Sequence, residues 1–378
     1  MKILYCIEGL YNSGGMERII TAKANHFESK GHEVMIATVN QKCRHVFFDI
    51  SANIKLIDLN INYDDISNDY IVKKIFTRYK KIKVHQLKLQ SLVDEFQPDL
   101  IISTFGNEIE FLHKIKSIKR MKRIAEIHFS HDYRLMHGQS YLRKYIHKFL
   151  NIRFKKNISK LDAFVCLTEE DKLKWGNLRN LHVIPNFIER KADFPAQLNT
   201  NRAISIGRLT YQKGYDMLMH AWKNIATKYP NWNLDIYGDG ELKDDLLKLR
   251  SDLELTNNVH FYPPTHNVYN VLQEASFYIL SSRFEGLPMV LLEAMAVGLP
   301  IVSFKCPCGP LDLFGNNNAG ILIPPENIDI LSAEIENLIK NKSKRVEMGK
   351  ASYNEVSKYL PDVVLEKWES LFDNLLHN

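Results

Sequence analysis

Two carboxylic acids eight residues apart, Glu285 and Glu293, stand in the stretch SSRFEGLPMVLLEAMAVGLP from Ser281 to Pro300. Short apolar runs flank it, Phe277 to Leu280 and Ile301 to Phe304. Each has the length of a buried strand, and the segment between them predicts a helix. Pro288 suits a first helical position because it has no N–H to leave unpaired, and Gly298 followed by Pro300 suits the end. Residues 289–292 and 294–297 are apolar on every side, so the helix is expected to be buried all round. Glu293 is then a carboxylate inside an apolar helix, where an unpaired charge costs several kcal/mol or more. Glu285 lies just ahead of the helix, whose free N–H groups make an anion site. On the local pattern alone, a surface Glu285 and a water-reaching Glu293 remain an open alternative.

Other residues suit the same chemistry. The loop Gly207-Arg208-Leu209-Thr210-Tyr211-Gln212-Lys213-Gly214 separates a strand, Ala203 to Ile206, from a helix, Tyr215 to Lys228. Arg208 and Lys213 bracket it, an Arg fork and a Lys point charge beside a helix start, which suits a departing diphosphate. Two solvated cations are the alternative. Gly238-Asp239-Gly240-Glu241 reads as a turn and cap whose glycines let a ligand approach closely. Near the start, Lys2 to Ile7 is a strand, and Gly14 and Gly15 precede a helix from about Met16 to Lys30, with N–H groups ahead of it. GxGxxG is absent, so a dinucleotide site is not supported. His128 and His131, with Asp132, fall in HFSHDY at the carboxyl end of a strand, Arg123 to Ile127, where open α/β sheets place ligand groups. No third ligand accompanies the two histidines, and a metal is not expected.

Taken together, EGLP, LEAMA, GLP, GRL with KG, and GILIP at Gly320 to Pro324 resemble family 4 of the retaining glycosyltransferases, which have the two-domain GT-B fold. The resemblance is strong from Ile204 to Pro324 and loose before it. It implies an α/β chain with two Rossmann-like domains facing a central cleft: an acceptor domain over 1–188, a nucleotide-sugar domain over 189–361, and a helix over 362–378 that returns to the first domain. By the same resemblance Glu293 holds the nucleotide's ribose and Glu285 the donor sugar. Arg208, Lys213 and the helix start after Gly286, Leu287 and Pro288 hold the diphosphate, with Gly238 close to the donor. Gly14 and Gly15 lie near the diphosphate and acceptor, and His128 touches the sugar from the first domain. No nucleophile is assigned, because the family is thought to let the leaving phosphate take the incoming hydroxyl's proton. The implied reaction moves a hexose or N-acetylhexosamine from a nucleotide donor, UDP-linked, to a hydroxyl of a cell-surface polysaccharide or lipid-linked precursor, without metal or other cofactor. The loop Pro263-Pro264-Thr265-His266-Asn267 carries proline where the family usually has glycine, which leaves the base less certain. A UDP-sugar 2-epimerase, or a catalytically silent lipid-binding scaffold of the same fold, is the alternative.

Composition sets the frame. At 378 residues, 45% apolar and 25% charged, the chain is long for one core, and two domains are expected. No stretch reaches the roughly 18 apolar residues of a membrane span, and Glu8 interrupts the apolar start, so neither a span nor a secretory signal is expected. Five cysteines, an odd number, fit reduced thiols and a cytoplasmic location, and Cys306 and Cys308 lack the second pair a zinc site needs. The net charge of +6 is uneven: the first 190 residues carry 32 Lys and Arg against 21 Asp and Glu, and the rest is net negative. The excess gathers in three segments without acids, Ile71 to Gln90, Phe111 to Ala125 and Arg143 to Lys160. In the last, Tyr141, Tyr145, Phe149, Ile152 and Lys156 fall at helical spacing, a pattern compatible with a helix on an anionic membrane surface. An ordinary amphipathic helix is the alternative. No nucleic-acid-binding motif accompanies the charge, and nucleic acid is not an expected partner.

Overall fold

In a computed structural model of the chain, residues 1–66, 71–132, 141–315 and 317–377 are described, without the side chains of 66, 71, 72 and 141–148. Seven parallel strands form the first sheet: β1 (Lys2–Ile7), β2 (Glu33–Thr38), β3 (Lys55–Asp58), β4 (Leu100–Ser103), β5 (Lys122–Glu126), β6 (Ala163–Cys166) and β7 (Leu181–Val183). Their spatial order is β3-β2-β1-β4-β5-β6-β7. Among the helices between them are α1 (Gly15–Ser29), α2 (Ile71–Phe96), α3 (Tyr141–Ile158) and α4 (Glu169–Trp175). The second sheet holds β8 (Arg202–Ile206), β9 (Asn233–Tyr237), β10 (Val259–Tyr262), β11 (Phe277–Leu280), β12 (Ile301–Phe304) and β13 (Gly320–Ile323), in the order β10-β9-β8-β11-β12-β13. All its pairings are parallel too. Around it lie α5 (Tyr215–Lys228), α6 (Lys243–Asp252), α7 (Val268–Gln273), α8 (Met289–Ala296), α9 (Pro310–Phe314), α10 (Ile328–Lys340) and α11 (Lys342–Glu355).

Central strands such as β4, β11 and β12 are buried along their whole length, as strands covered by helices on both faces must be. That is why they read as continuous apolar runs. In each sheet the order reverses beside the first strand, at β1/β4 and at β8/β11, which opens a crevice at the carboxyl ends where ligands bind. The last helix, α12 (Pro361–His377), leaves the second sheet and packs Val364, Leu365, Trp368, Leu371 and Phe372 into the core of the first. The chain is thus an α/β protein of two Rossmann-like units with a returning C-terminal helix.

Two local readings shift. Pro288 caps α8 in an extended conformation, φ −70° and ψ 104°, and the helix starts one residue later than its position suggested. The polar stretch Glu189 to Arg202, whose composition reads as a linker between the two domains, is tied down in the structure: Ala192 and Ala196 donate their N–H groups to the carbonyls of Ala296 and Val297, at the end of α8, at 3.0 and 2.8 Å. Gly298, at φ +72°, supplies the left-handed turn that ends the helix.

Candidate functional site

The second sheet builds one wall of the crevice. After β11 the chain turns through Ser281 and Ser282 to Glu285, whose side chain is only 7% exposed. Its Oε1 accepts hydrogen bonds from Lys213 Nζ at 2.7 Å and Ser282 Oγ at 2.6 Å, and its Oε2 from Gln212 Nε2 at 3.3 Å. Lys213 reaches it because Gly214 follows. A Cβ there would lie 2.2 Å from the Ser281 carbonyl oxygen, and φ is +62°, so only glycine lets the loop pass this close to the end of β11. Arg208 stands differently. It is exposed, and its guanidinium makes no ion pair among the described residues, so it keeps all its donors for a ligand. Gly238 packs against the Gly207 carbonyl, 2.0 Å from where its Cβ would be, joining the loops after β8 and β9.

Glu293 lies one turn into α8 and is 6% exposed. The partner it requires comes from α1 of the first unit: Arg18 Nη1 donates to its Oε1 at 2.5 Å, while Arg18 Nε holds Glu189 at 3.2 Å. Burial lifts the Glu293 carboxyl above its ordinary value, and Arg18 opposes this without cancelling it. Arg18 follows Gly14, which caps α1, and Gly15, which opens it. A Cβ on Gly15 would sit 3.2 Å from Met289 Cγ, so this loop faces the first residue of α8.

His128 enters from the end of β5. Its ring is nearly buried, with Nε2 3.4 Å from Glu126 Oε2. Its carbonyl oxygen lies 2.7 Å from where a Cβ on Gly286 would be. His128 and the loop carrying Glu285, Gly286, Leu287 and Pro288 therefore meet backbone to backbone across the seam. Gly14, Gly15, His128, Glu285 and Glu293 converge on one crevice with Lys213, while Arg208 stands exposed in the loop that carries Lys213.

His131 does not join His128. Its Nδ1 pairs with Asp132 at 2.6 Å, and its ring packs edge-on against Trp175 at 4.6 Å between centroids. Tyr133, the last residue of HFSHDY, lies outside the described residues. Among the described residues no group of three His, Cys, Asp or Glu could hold a metal ion. Cys308 faces this corner, with Sγ 3.3 Å from both Ser130 Oγ and Asp171 Oδ1. Burial, then Asp171, pushes its thiol up to about 12, so it packs as a neutral group. Asp312 caps α4 by accepting from the Glu169 N–H at 2.7 Å. Phe47 stacks on His266, in the loop suggested for the base, at 5.6 Å. The contacts of Cys308, Asp312 and Phe47 escape a reading of the sequence because each joins residues more than 130 positions apart. The exposed need of Glu293 for a cation was the only signal pointing to Arg18.

Comparison with known proteins defines the class. Residues 186–355 match the family described as glycosyl transferases group 1, and residues 13–191 match glycosyltransferase family 4. The chain belongs to this glycosyltransferase family and is a hexosyltransferase of the GT-B fold. It is 29% identical to an uncharacterized glycosyltransferase of Haemophilus influenzae, over 98% of this chain and 99% of that one. It is 26% identical to a poly(ribitol-phosphate) alpha-N-acetylglucosaminyltransferase of Staphylococcus aureus, over 89% and 68%. A crystal structure of an S. aureus protein in complex with fondaparinux, alpha-GlcNAc-glycerol and UDP superposes with a TM-score of 0.77, at 18% identity over 98% of this chain and 99% of that chain.

Proposed function

We propose that this enzyme transfers a hexose or N-acetylhexosamine, with retention, from a UDP-linked donor to a hydroxyl of a cell-surface polysaccharide or a lipid-linked precursor of one. The observation that carries the reading is the convergence of Glu285, Glu293 and Lys213 from one unit with Gly14, Gly15 and His128 from the other. Glu293 holds the ribose and Glu285 the sugar hydroxyls. As the glycosidic bond breaks, positive charge grows on the ring and negative charge on the phosphate. Arg208, Lys213 and the N–H groups that open α8 after Gly286, Leu287 and Pro288 meet the second charge, with Gly238 lining the donor side. The leaving phosphate takes the proton of the attacking hydroxyl, while His128 and Glu285 orient the sugar. No metal takes part, since the cations of the chain supply the charge a metal would.

UDP as the nucleotide is supported by the complex of the structural neighbour, and a polymer as acceptor by the name of the poly(ribitol-phosphate) relative. An alpha product from an alpha-linked nucleotide sugar is retention, which agrees with that relative's alpha linkage.

An exposed apolar and basic face of the acceptor domain supports reading it as the surface that meets a membrane. On α2, Ile75, Phe76 and Tyr79 are 67%, 59% and 56% exposed, and on α3, Phe149 and Ile152 are 67% and 62% exposed. Arg78 and Arg153 both hold Glu110, at 3.2 and 2.8 Å, which ties the two helices side by side. Exposed aromatic and aliphatic groups among lysines are what an anionic interface takes up. The side chains of Tyr141, Lys144, Tyr145 and Lys148 lie outside the described residues. Peripheral attachment at the inner face of the cell membrane is the location this implies.

A panel of UDP-sugars, assayed for UDP release with and without glycan acceptors, tests the reading. Acceptor-stimulated release supports it. Conversion of UDP-N-acetylglucosamine to its 2-epimer without net UDP release would replace it with epimerisation.

A further inference from the structure

Behind His128 lies a chain of charges that no step above uses. Lys23, on α1, is 1% exposed and donates to Glu126 Oε2 at 2.7 Å. Its ammonium sits 3.4 Å from the centroid of the Trp368 ring on α12 and 5.6 Å from that of Tyr5. Glu126 is 1% exposed, ends β5, and stands two residues before His128. Residues two apart on an extended strand share a face, which is how Oε2 reaches within 3.4 Å of His128 Nε2. Glu126 Oε1 and both ring nitrogens of His128 are buried without a hydrogen-bond partner. Glu17, on α1, is the other acid whose charge reaches the ring.

A buried ion pair is a poor stability device, because well-packed apolar side chains of similar volume do as well or better. Lys23 and Glu126 sit among Tyr5, Trp368 and apolar core residues, yet at the one strand end that delivers a residue to the crevice. The geometry points to Glu126, 3.4 Å from Nε2, as a positioning residue that holds the His128 imidazole in one orientation with its proton on Nε2, with Lys23 as its counter-ion. The inference rests on the reading of His128 as a donor contact. Burial alone would raise the Glu126 carboxyl, but the Lys23 ammonium and His128 together outweigh it and hold it at about 2. Glu126 is therefore an ionised acceptor at neutral pH. A ring with a fixed proton keeps one orientation at the end of β5; a ring free to exchange tautomers keeps it part of the time. The same role is familiar for carboxylates that orient a catalytic or metal-bound histidine.

The test is the nitrogen chemical shifts of the His128 ring in enzyme labelled with 15N-histidine, assigned by comparison with H128A. They are read beside kcat and KM for the UDP-sugar turned over fastest in the panel above. The variant is K23M with E126Q, which removes both charges together and leaves no unpaired charge in the core; E126D, keeping the charge, is the conservative control. Wild type and E126D should show the Nε2-protonated form. The double variant should lose that preference and fall roughly tenfold or more in kcat, with KM changed less than about twofold. Unchanged ring shifts in the double variant overturn the positioning role even where H128A is slow. Wild-type turnover in H128A overturns it from the other side, by removing His128 from the reaction.

Discussion

Lys213 and Arg208 were alike in the sequence as two cations bracketing one loop, and the structure separates them. Lys213 is answered at 2.7 Å by Glu285, which is itself only 7% exposed. Lys213→Ala should therefore lower turnover and also leave a buried carboxylate without its cation, destabilising the fold by roughly 3 kcal/mol. Arg208→Ala should lower turnover as strongly with no change in melting temperature, since its side chain is exposed and unpaired among the described residues. Melting curves beside UDP-release rates check the contrast, and equal stability loss in both would contradict it. Glu293→Ala should weaken UDP binding, read by calorimetry, while Glu285→Ala mainly slows transfer, because one acid contacts the ribose throughout and the other a sugar whose charge changes during reaction. At this scale the sequence showed which residues could do chemistry but not their partners. Glu293 announced the need for a cation; Arg18, 275 positions away, could not be named from it.

At the scale of elements, the strands and helices lining the crevice were legible because their signals are local. Apolar runs of four residues bounded by turn residues gave β11 and β12, and a glycine followed by a proline ended the helix between them. α2, 26 residues long, was seen only as a basic segment, because its exposed apolar side chains blur the helical period. α12 was legible as a helix returning to the first domain, but not the residues it covers there. Trp368, 3% exposed, covers Lys23 from that helix, so Trp368→Ala should cost about 3–5 kcal/mol and let water reach the ion pair. Denaturant midpoints at neutral pH measure this. The pair also carries an acid dependence. A Glu126 carboxyl at about 2 in the folded state lies below its ordinary value of 4.5, so its stabilisation is complete above pH 4.5 and lost as pH falls toward 2. The double variant K23M with E126Q should show a flatter loss of stability across that window than the wild type, followed by denaturant midpoints from pH 6 downward.

At the scale of the molecule, two units meet at a seam whose contacts are all specific. Arg18 pairs with Glu293, Asp312 caps α4, and Cys308 packs on Ser130 and Asp171. The two-unit plan followed from length and from a motif order that repeats strand, glycine loop and helix. The seam did not, because it is made by residues distant in sequence. The charge asymmetry also belongs to this scale. Changing Lys144, Lys148, Arg153, Lys155 and Lys156 to Gln together should abolish sedimentation with anionic vesicles at low salt, each basic group contributing on the order of 1 kcal/mol near such a surface. Binding that is equal for neutral and anionic vesicles would leave a soluble enzyme with an anionic acceptor. The central claim, retaining transfer from a UDP-sugar, is tested most directly by NMR of the glycoside formed with glycerol as surrogate acceptor. An anomeric signal of the same configuration as the donor's is the expected result; the opposite anomer would mean that a catalytic base acts here and that the phosphate does not take the proton.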